Sequence, residues 1–383
     1  MFSKGIKFIG FNIKTNKFLL KKKLNSILSK KNHVIESFSR AYKNDYDKKL
    51  INKYKKFSNF KLIGMGGSIL GALAIYDFLN YKIKKKFIFI NNLDSSIKKK
   101  FKNSHVNLVV SKSGNTLETI ANVNFFVKKK EHNIFITENK KSYLFLLAEK
   151  LKSEIIHHNN FIGGRYSVLS EVGMLPAELM GLKSDNFKQY DYLIKNKHFL
   201  NKLISNVGST LYLVKKKKFN SIIINYDEKS NNLFNWYQQL IAESLGKKSK
   251  GILPIVSSMP KDNHSVMQLF LDGFKNNFFT FFYVKENKSL KINNQKILPS
   301  YTFIKNKNLD KIIHSQKKAT EKVFNNQKIP FRSFEIENRD EKTLGTLFTF
   351  FMLETILLAK ALNLNPYDQP AVELIKKETR KFL

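Results

Sequence analysis

The sequence has no cysteine, which removes disulfides, thiolate metal sites, iron–sulfur clusters and a catalytic thiol together. That fits a reducing compartment, and we expect a cytoplasmic protein. Acidic residues are scarce: 30 Asp and Glu stand against 68 Lys and Arg, a formal net charge of +38. Gly at 16 and Pro at 7 are too few for a collagen-like or linker-rich chain. Long uncharged apolar runs are missing too. The most hydrophobic stretch, Leu344 to Leu364, is broken by Glu354 and Lys360, whereas a spanning helix needs about 20 mostly uncharged apolar residues. We read it as a buried helix and expect no membrane association. The opening MFSKGIKFIGFNIKTNK lacks the apolar run and small-residue cleavage site of a targeting segment.

What is present is apolar and aromatic: 42% and 13% of 383 residues, enough for a core and for more than one domain. A disordered chain is thereby excluded despite the charge. The lysines fall in short runs spread along the chain (Lys21–Lys23, Lys84–Lys86, Lys98–Lys100, Lys128–Lys130, Lys215–Lys218), each at the edge of an apolar segment. Such runs read as solvated ends of helices and strands. Heavy use of Lys, Asn, Ile and Phe is also what an AT-rich coding sequence favours. We therefore do not expect a nucleic-acid partner, although net charge alone would suit one.

The first 55 or so residues read as lysine-rich helix, with Leu19, Leu20, Leu24, Ile27 and Leu28 at helical spacing. Then short apolar strands (Phe60–Ile63, Phe87–Ile90, Asn107–Val110, Ile134–Thr137) alternate with helical runs (Ile69–Leu79, Leu117–Val127). A long helical stretch over 185–217 leads to a second such series: strands Ser221–Tyr226, Ile252–Val256 and Phe278–Val284, with helices Leu233–Leu245 and Val266–Phe274. Residues 285–310 read as an extended surface connection, Phe334–Glu337 as an edge strand, and Leu344–Leu362 and Val372–Arg380 as closing helices. The alternation predicts an α/β protein with doubly wound parallel sheets. We expect three regions: 1–185, an N-terminal helical segment plus a first α/β domain; 186–340, a second; and 341–383, a C-terminal helical arm packed across them.

Ligands in such sheets bind at the carboxyl ends of strands, where two notable loops fall. Gly64-Met65-Gly66-Gly67-Ser68 allows close backbone approach at a helix start, but it is neither a dinucleotide fingerprint nor a Walker loop. Ser111-Lys112-Ser113-Gly114-Asn115-Thr116 sets three hydroxyls before a helix, a dense donor set for phosphate oxygens. The plainer reading of the second loop is an N-cap cluster with Thr116 as the cap. His157-His158 has no further ligand at metal spacing, so we read a strand end. Trp236 is expected to precede a helix and pack between the halves, and Leu347–Leu353 to be core.

Four more stretches complete a pattern with these loops: Gly163-Gly164-Arg165-Tyr166-Ser167, Gln239-Leu240-Ile241-Ala242-Glu243-Ser244, Asp262-Asn263-His264-Ser265, and Tyr367-Asp368-Gln369-Pro370-Ala371-Val372-Glu373-Leu374-Ile375-Lys376. The ordered set of six resembles the glucose-6-phosphate isomerase family, with its two sugar-isomerase domains in α/β/α sandwiches. The resemblance implies an aldose–ketose isomerase working through a cis-enediolate, without metal or organic cofactor. It implies Glu243 as the base, Arg165 as the stabiliser of the enediolate, and His264 and Lys376 in ring opening. It also implies Gly67, Ser68, Ser111, Lys112, Ser113 and Thr116 around the phosphate, Gln239 and Gln369 as substrate- or water-positioning groups, and a homodimer whose active site takes His264 from the neighbouring subunit. The chain is shorter than most relatives, and Val256–Lys261 keeps little of the family's glycine-rich loop. Two rivals remain open at this point, a dual glucose/mannose-6-phosphate isomerase and a sugar-phosphate sensor without turnover.

Overall fold

The computed structural model describes residues 3–94 and 104–383; the Lys98–Lys100 run lies outside them. Among the described residues, ten strands form two five-stranded sheets. Strand β1 (Ile6–Ile9) opens the chain, and β2 (Asn59–Gly64), β3 (Lys86–Ile90), β4 (Val106–Val110), β5 (His132–Thr137) and β6 (Glu154–His157) follow. The last five make one all-parallel sheet in the order β3-β2-β4-β5-β6. The second series is β7 (Asn220–Asn225), β8 (Leu253–Ser258), β9 (Asn277–Val284) and β10 (Phe331–Ile336). With β1 it forms the second sheet, in the order β1-β10-β9-β7-β8.

Strands buried on both faces need continuous apolar sequence, because helices cover both sides of a parallel sheet. β4 (VNLVV) and β9 (NFFTFFYV) are buried at every position. The expected α/β architecture is therefore present, with one exception to its parallel character. β1 pairs antiparallel with β10, Ile6 opposite Ile336 and Ile9 opposite Ser333. Residues expected to be only helical thus begin with a strand, and the chain's first segment closes the sheet of its second half. Four residues whose partner lies more than 300 positions away carry no local signal.

Three other expectations change. The stretch over 185–217 breaks into short turns at Ser184–Phe187 and Tyr190–Leu193 before the helix Lys197–Lys215, which Asn196 caps through its side chain. Leu309–Asn326, read as the end of a surface connection and beyond, is an 18-residue helix capped by Asn308. β10 is interior, flanked by β9 and β1, because the N-terminal strand takes the edge position expected for it.

The helix Glu341–Ala361 is the axis of the core. By length and composition it could cross a membrane, yet its apolar window is 89% buried within the protein. Phe348, Phe350 and Phe351 are fully buried, packing on Trp236, Phe199 and Tyr237. Its Glu354 is buried as well and pairs with Arg332 of β10, while Asn206 donates to the same carboxylate. A charge that broke the apolar run in sequence is thus neutralised inside the fold.

Candidate active site

In the first sheet the chain passes from β2 outward to β3 and then returns to β4 on the other side of β2. The crevice at the carboxyl ends of β2 and β4 is therefore a topological switch point, the usual ligand position in an open parallel sheet. Both expected loops sit there. Residues 111–114 form a turn closed by the Gly114 amide donating to Ser111 O at 3.1 Å. Gly114 has φ +62°, and a Cβ on it would fall 1.9 Å from Ser142 Oγ. The Ser111 and Thr116 hydroxyls lie 3.0 Å apart. Thr116 directly precedes the helix Leu117–Phe126 but makes no side-chain cap bond to it. The plain N-cap reading is not what the geometry adopts. The first amides of that helix stay available to an anion, with two hydroxyls beside them. Ser113 Oγ accepts from the Asn115 amide at 3.3 Å.

The glycine turn at the end of β2 faces a second element. A Cβ on Gly67 would stand 2.1 Å from the carbonyl carbon of Gly164, so the two backbones touch where only glycine fits. Gly66, at φ +53°, has the Gln239 amide lying across it. Ser68 ends the same turn and is half-buried. Lys112 Nζ donates to Asn160 O at 2.8 Å and faces Glu138 at 3.4 Å. The hydroxyl loop is thereby tied to the segment that carries Arg165.

Arg165 is 99% buried, and its five N–H donors reach five acceptors. Nε donates to Ser244 Oγ at 2.8 Å, Nη1 to Glu243 Oε2 at 3.1 Å and Gln369 Oε1 at 2.7 Å, and Nη2 to the carbonyls of Pro366 at 2.6 Å and Asp368 at 3.1 Å. Glu243 sits on the helix Asn231–Leu245 one turn after Gln239, whose Nε2 donates to Glu243 Oε1 at 2.8 Å. The carboxylate is held at both oxygens yet remains 30% exposed. Gln239 Oε1 is buried and has no partner among the described residues.

Trp236, expected ahead of this helix, lies within it; its indole N–H donates to Arg165 O at 3.1 Å. Lys247 just beyond the helix donates to Asp368 O and Asp368 Oδ1, both at 2.6 Å. A cleft of about 700 Å³ opens beside Glu243, Lys247, Asp368 and Gln369. Another cavity of about 520 Å³, at the carboxyl ends of β7 and β9, holds none of the expected residues.

Glu243, Arg165, Gln239 and Gln369 are thus brought together, and the hydroxyl loop and glycine turn are tied to them. His264 and Lys376 are not in this cluster. His264 ends the turn Lys261–His264 and is exposed; Asp262 shapes that turn by accepting from the Ser258 amide at 2.7 Å. Lys376 lies on the helix Val372–Phe382, which buries no residue, and its Nζ pairs with Glu373 at 2.6 Å. No hydrogen bond between Lys376 and Arg165 or Glu243 occurs among the described residues. Sequence reasoning passed over Ser244, Tyr166 and Lys247. Ser244 and Tyr166 stood inside quoted motifs; their hydroxyls meet at 2.9 Å and support the guanidinium. Among the described residues no cluster of metal-ligating side chains occurs.

A family model described as phosphoglucose isomerase matches residues 26–382. The chain belongs to the phosphoglucose isomerase family. Glucose-6-phosphate isomerase of Methanocaldococcus jannaschii is 34% identical over 365 residues, covering 87% of this chain and 86% of that protein. The enzyme of the same name from Mycoplasmopsis pulmonis is 33% identical, covering 89% and 87%. Among solved structures, a glucose-6-phosphate isomerase from Chlamydia trachomatis superposes with a TM-score of 0.79 at 16% identity, covering 99% of this chain and 88% of that one. A hypothetical protein from Thermus thermophilus superposes with a TM-score of 0.82 at 23% identity, covering 95% and 94%. These two likenesses establish the shared fold.

Proposed function

We propose that this member of the phosphoglucose isomerase family interconverts glucose 6-phosphate and fructose 6-phosphate with Glu243 as the proton carrier, a step of glycolysis and gluconeogenesis. The observation that carries the assignment is the carboxylate of Glu243, fixed between Gln239 and Arg165 and still open on one side. In the open-chain aldose, Glu243 takes the proton from C2 while the electrons move to the C1 carbonyl oxygen. The resulting cis-enediolate receives the proton back at C1, and as the C2 hydroxyl proton passes to the C1 oxygen, C1 becomes the alcohol and C2 the ketone. A positioned carboxylate suits this transfer because it is oriented before the substrate arrives.

Arg165 Nη1 reaches both Glu243 and Gln369, so a substrate oxygen carrying the developing negative charge would compete with Gln369 for it. Ser111, Ser113, Thr116 and the first amides of the helix Leu117–Phe126 hold the phosphate, with Gly67 and Ser68 at its other side and Lys112 nearby. We further propose a cytoplasmic homodimer in which His264 from the neighbouring subunit completes the site and acts with Lys376 in ring opening. The exposure of His264 in the single chain is what such sharing requires. No nucleic-acid or membrane partner is proposed.

The assay is conversion of fructose 6-phosphate to glucose 6-phosphate by purified chain, with Glu243→Gln alongside. The variant should fold normally and lose about 10²–10⁴ in kcat; a folded variant with near-native turnover would remove Glu243 from the mechanism. Mixing inactive Glu243→Gln with inactive His264→Ala should restore activity through hybrid sites. Absence of any recovery after subunit exchange would contradict the shared site.

A further inference from the structure

His158 is buried, does not touch Glu243, and is left without a task by the isomerisation as described. It stands at the start of the excursion from the end of β6 to the helix Glu171–Leu179, the loop that carries Gly163, Gly164 and Arg165. Its Nδ1 lies 2.6 Å from Glu171 Oε1, and its Nε2 lies 3.0 Å from Ile162 O. One imidazole thus joins the far end of the excursion and a carbonyl immediately before Gly163. Glu171 is 99% buried and also accepts from the Asn159 amide at 3.0 Å and from the Tyr42 hydroxyl at 2.9 Å. Burial alone would raise this carboxyl, but the His158 hydrogen bond and charge and the Asn159 amide hold it below the ordinary range. At the end of the Gly164–Leu169 turn, Lys188 donates to Leu169 O and to Ser37 O.

A loop fastened at its start, middle and end has little freedom to move its central residues. The central residue here is Arg165, whose guanidinium orients Glu243 and Gln369. The neighbouring Gly164 backbone is seated against Gly67. Misplacing such groups by about 1 Å can cost about 10²-fold in rate. We infer that His158 and Glu171 are positioning residues for the reaction, a buried clip that sets Arg165 against the catalytic carboxylate. The inference rests on the reading of Arg165 proposed above.

The test is a double-mutant cycle in kcat, with the full chain and fructose 6-phosphate as substrate. His158→Asn keeps a donor where Nδ1 stood but drops the tie to Ile162. It should lower kcat about tenfold and change KM by less than about threefold. In the Arg165→Ala background the same substitution should change kcat by less than about twofold, because the group it positions is gone. Full kcat in His158→Asn, or an equal loss in both backgrounds, overturns the inference, since a merely structural role acts independently of Arg165. If His158→Asn does not fold, Tyr42→Phe, which removes one donor from Glu171 and keeps the ring, is read in the same cycle against the same two outcomes. Unchanged kcat in Arg165→Ala would overturn the reading of Arg165 together with this inference. Loss there beside none in His158→Asn overturns this inference alone.

Discussion

At the scale of single residues, Arg165 makes the clearest physical demand. A guanidinium presents its donors in a fixed plane, and here every donor is engaged away from bulk water. Arg165→Ala should lower kcat by more than it raises KM, since the charge that it meets grows only as the enediolate forms. Steady-state kinetics with fructose 6-phosphate decides this, and a pure rise in KM would contradict the role. Lysine should not rescue it, because one ammonium cannot reach all five acceptors. The sequence motifs brought Arg165, Glu243, Gln239 and Gln369 into view. They could not reveal the Pro366 and Asp368 acceptors, which are backbone carbonyls and leave no mark in residue type. Nor could spacing explain His158, whose partner Glu171 is met only when the intervening loop folds back.

Between elements, the contact of Gly67 with Gly164 joins the glycine turn, proposed to face the phosphate, to the segment that carries Arg165. Gly67→Ala drives a methyl into that backbone and should cost about 1–3 kcal/mol in urea unfolding, with activity falling as well. Gly10→Ala is the matching control. A Cβ there meets only Phe8, at 3.6 Å, and stability should stay within about 0.5 kcal/mol. An equal effect of the two substitutions would deny the contact its importance.

A second junction joins β10 to the helix Leu309–Asn326 through Glu335 and the buried Lys317, 2.7 Å apart. Burial would raise the Glu335 carboxyl, but the Lys317 hydrogen bond and charge, with Lys7 and His314, hold it down at about 2. Its folded pKa is below the unfolded one, so its stabilisation is complete above the unfolded carboxyl pKa and is lost as pH falls toward 2. Glu335→Gln should therefore be about 1–3 kcal/mol less stable at pH 7, and the gap should close in acid. A gap independent of pH would exclude the charge as its cause. Most strands and helices of the two sheets were legible from alternating apolar runs. The helix Leu309–Asn326 was not, because its polar face outweighs the few residues, such as Phe324, that it buries.

For the molecule as a whole, +38 charges share one compact body. Self-repulsion of that size opposes folding and is screened by salt. Raising sodium chloride from about 0.02 to 0.5 M should lift the melting temperature by about 3 °C, equivalent to about 2.4 kcal/mol at about 2.1 cal/mol/K of unfolding entropy per residue. An unchanged midpoint would mean that the lysines are spaced widely enough not to repel. The architecture of two wound sheets was readable from rhythm alone, because most strands followed a helix in local sequence. The closure of the second sheet was not, since it depends on which segment returns to which edge.

That closure also orders events during synthesis. β1 leaves the ribosome long before β10, and at about 5–20 residues per second the wait between them is roughly 15–65 s. Throughout that interval Ile6 and Phe8 have no seat, since Phe334 and Ile336 are what they meet. A product cut short before β10 keeps its leading strand loose and the flank of β9 bare. Joining of the two distant strands therefore requires that translation has passed residue 336.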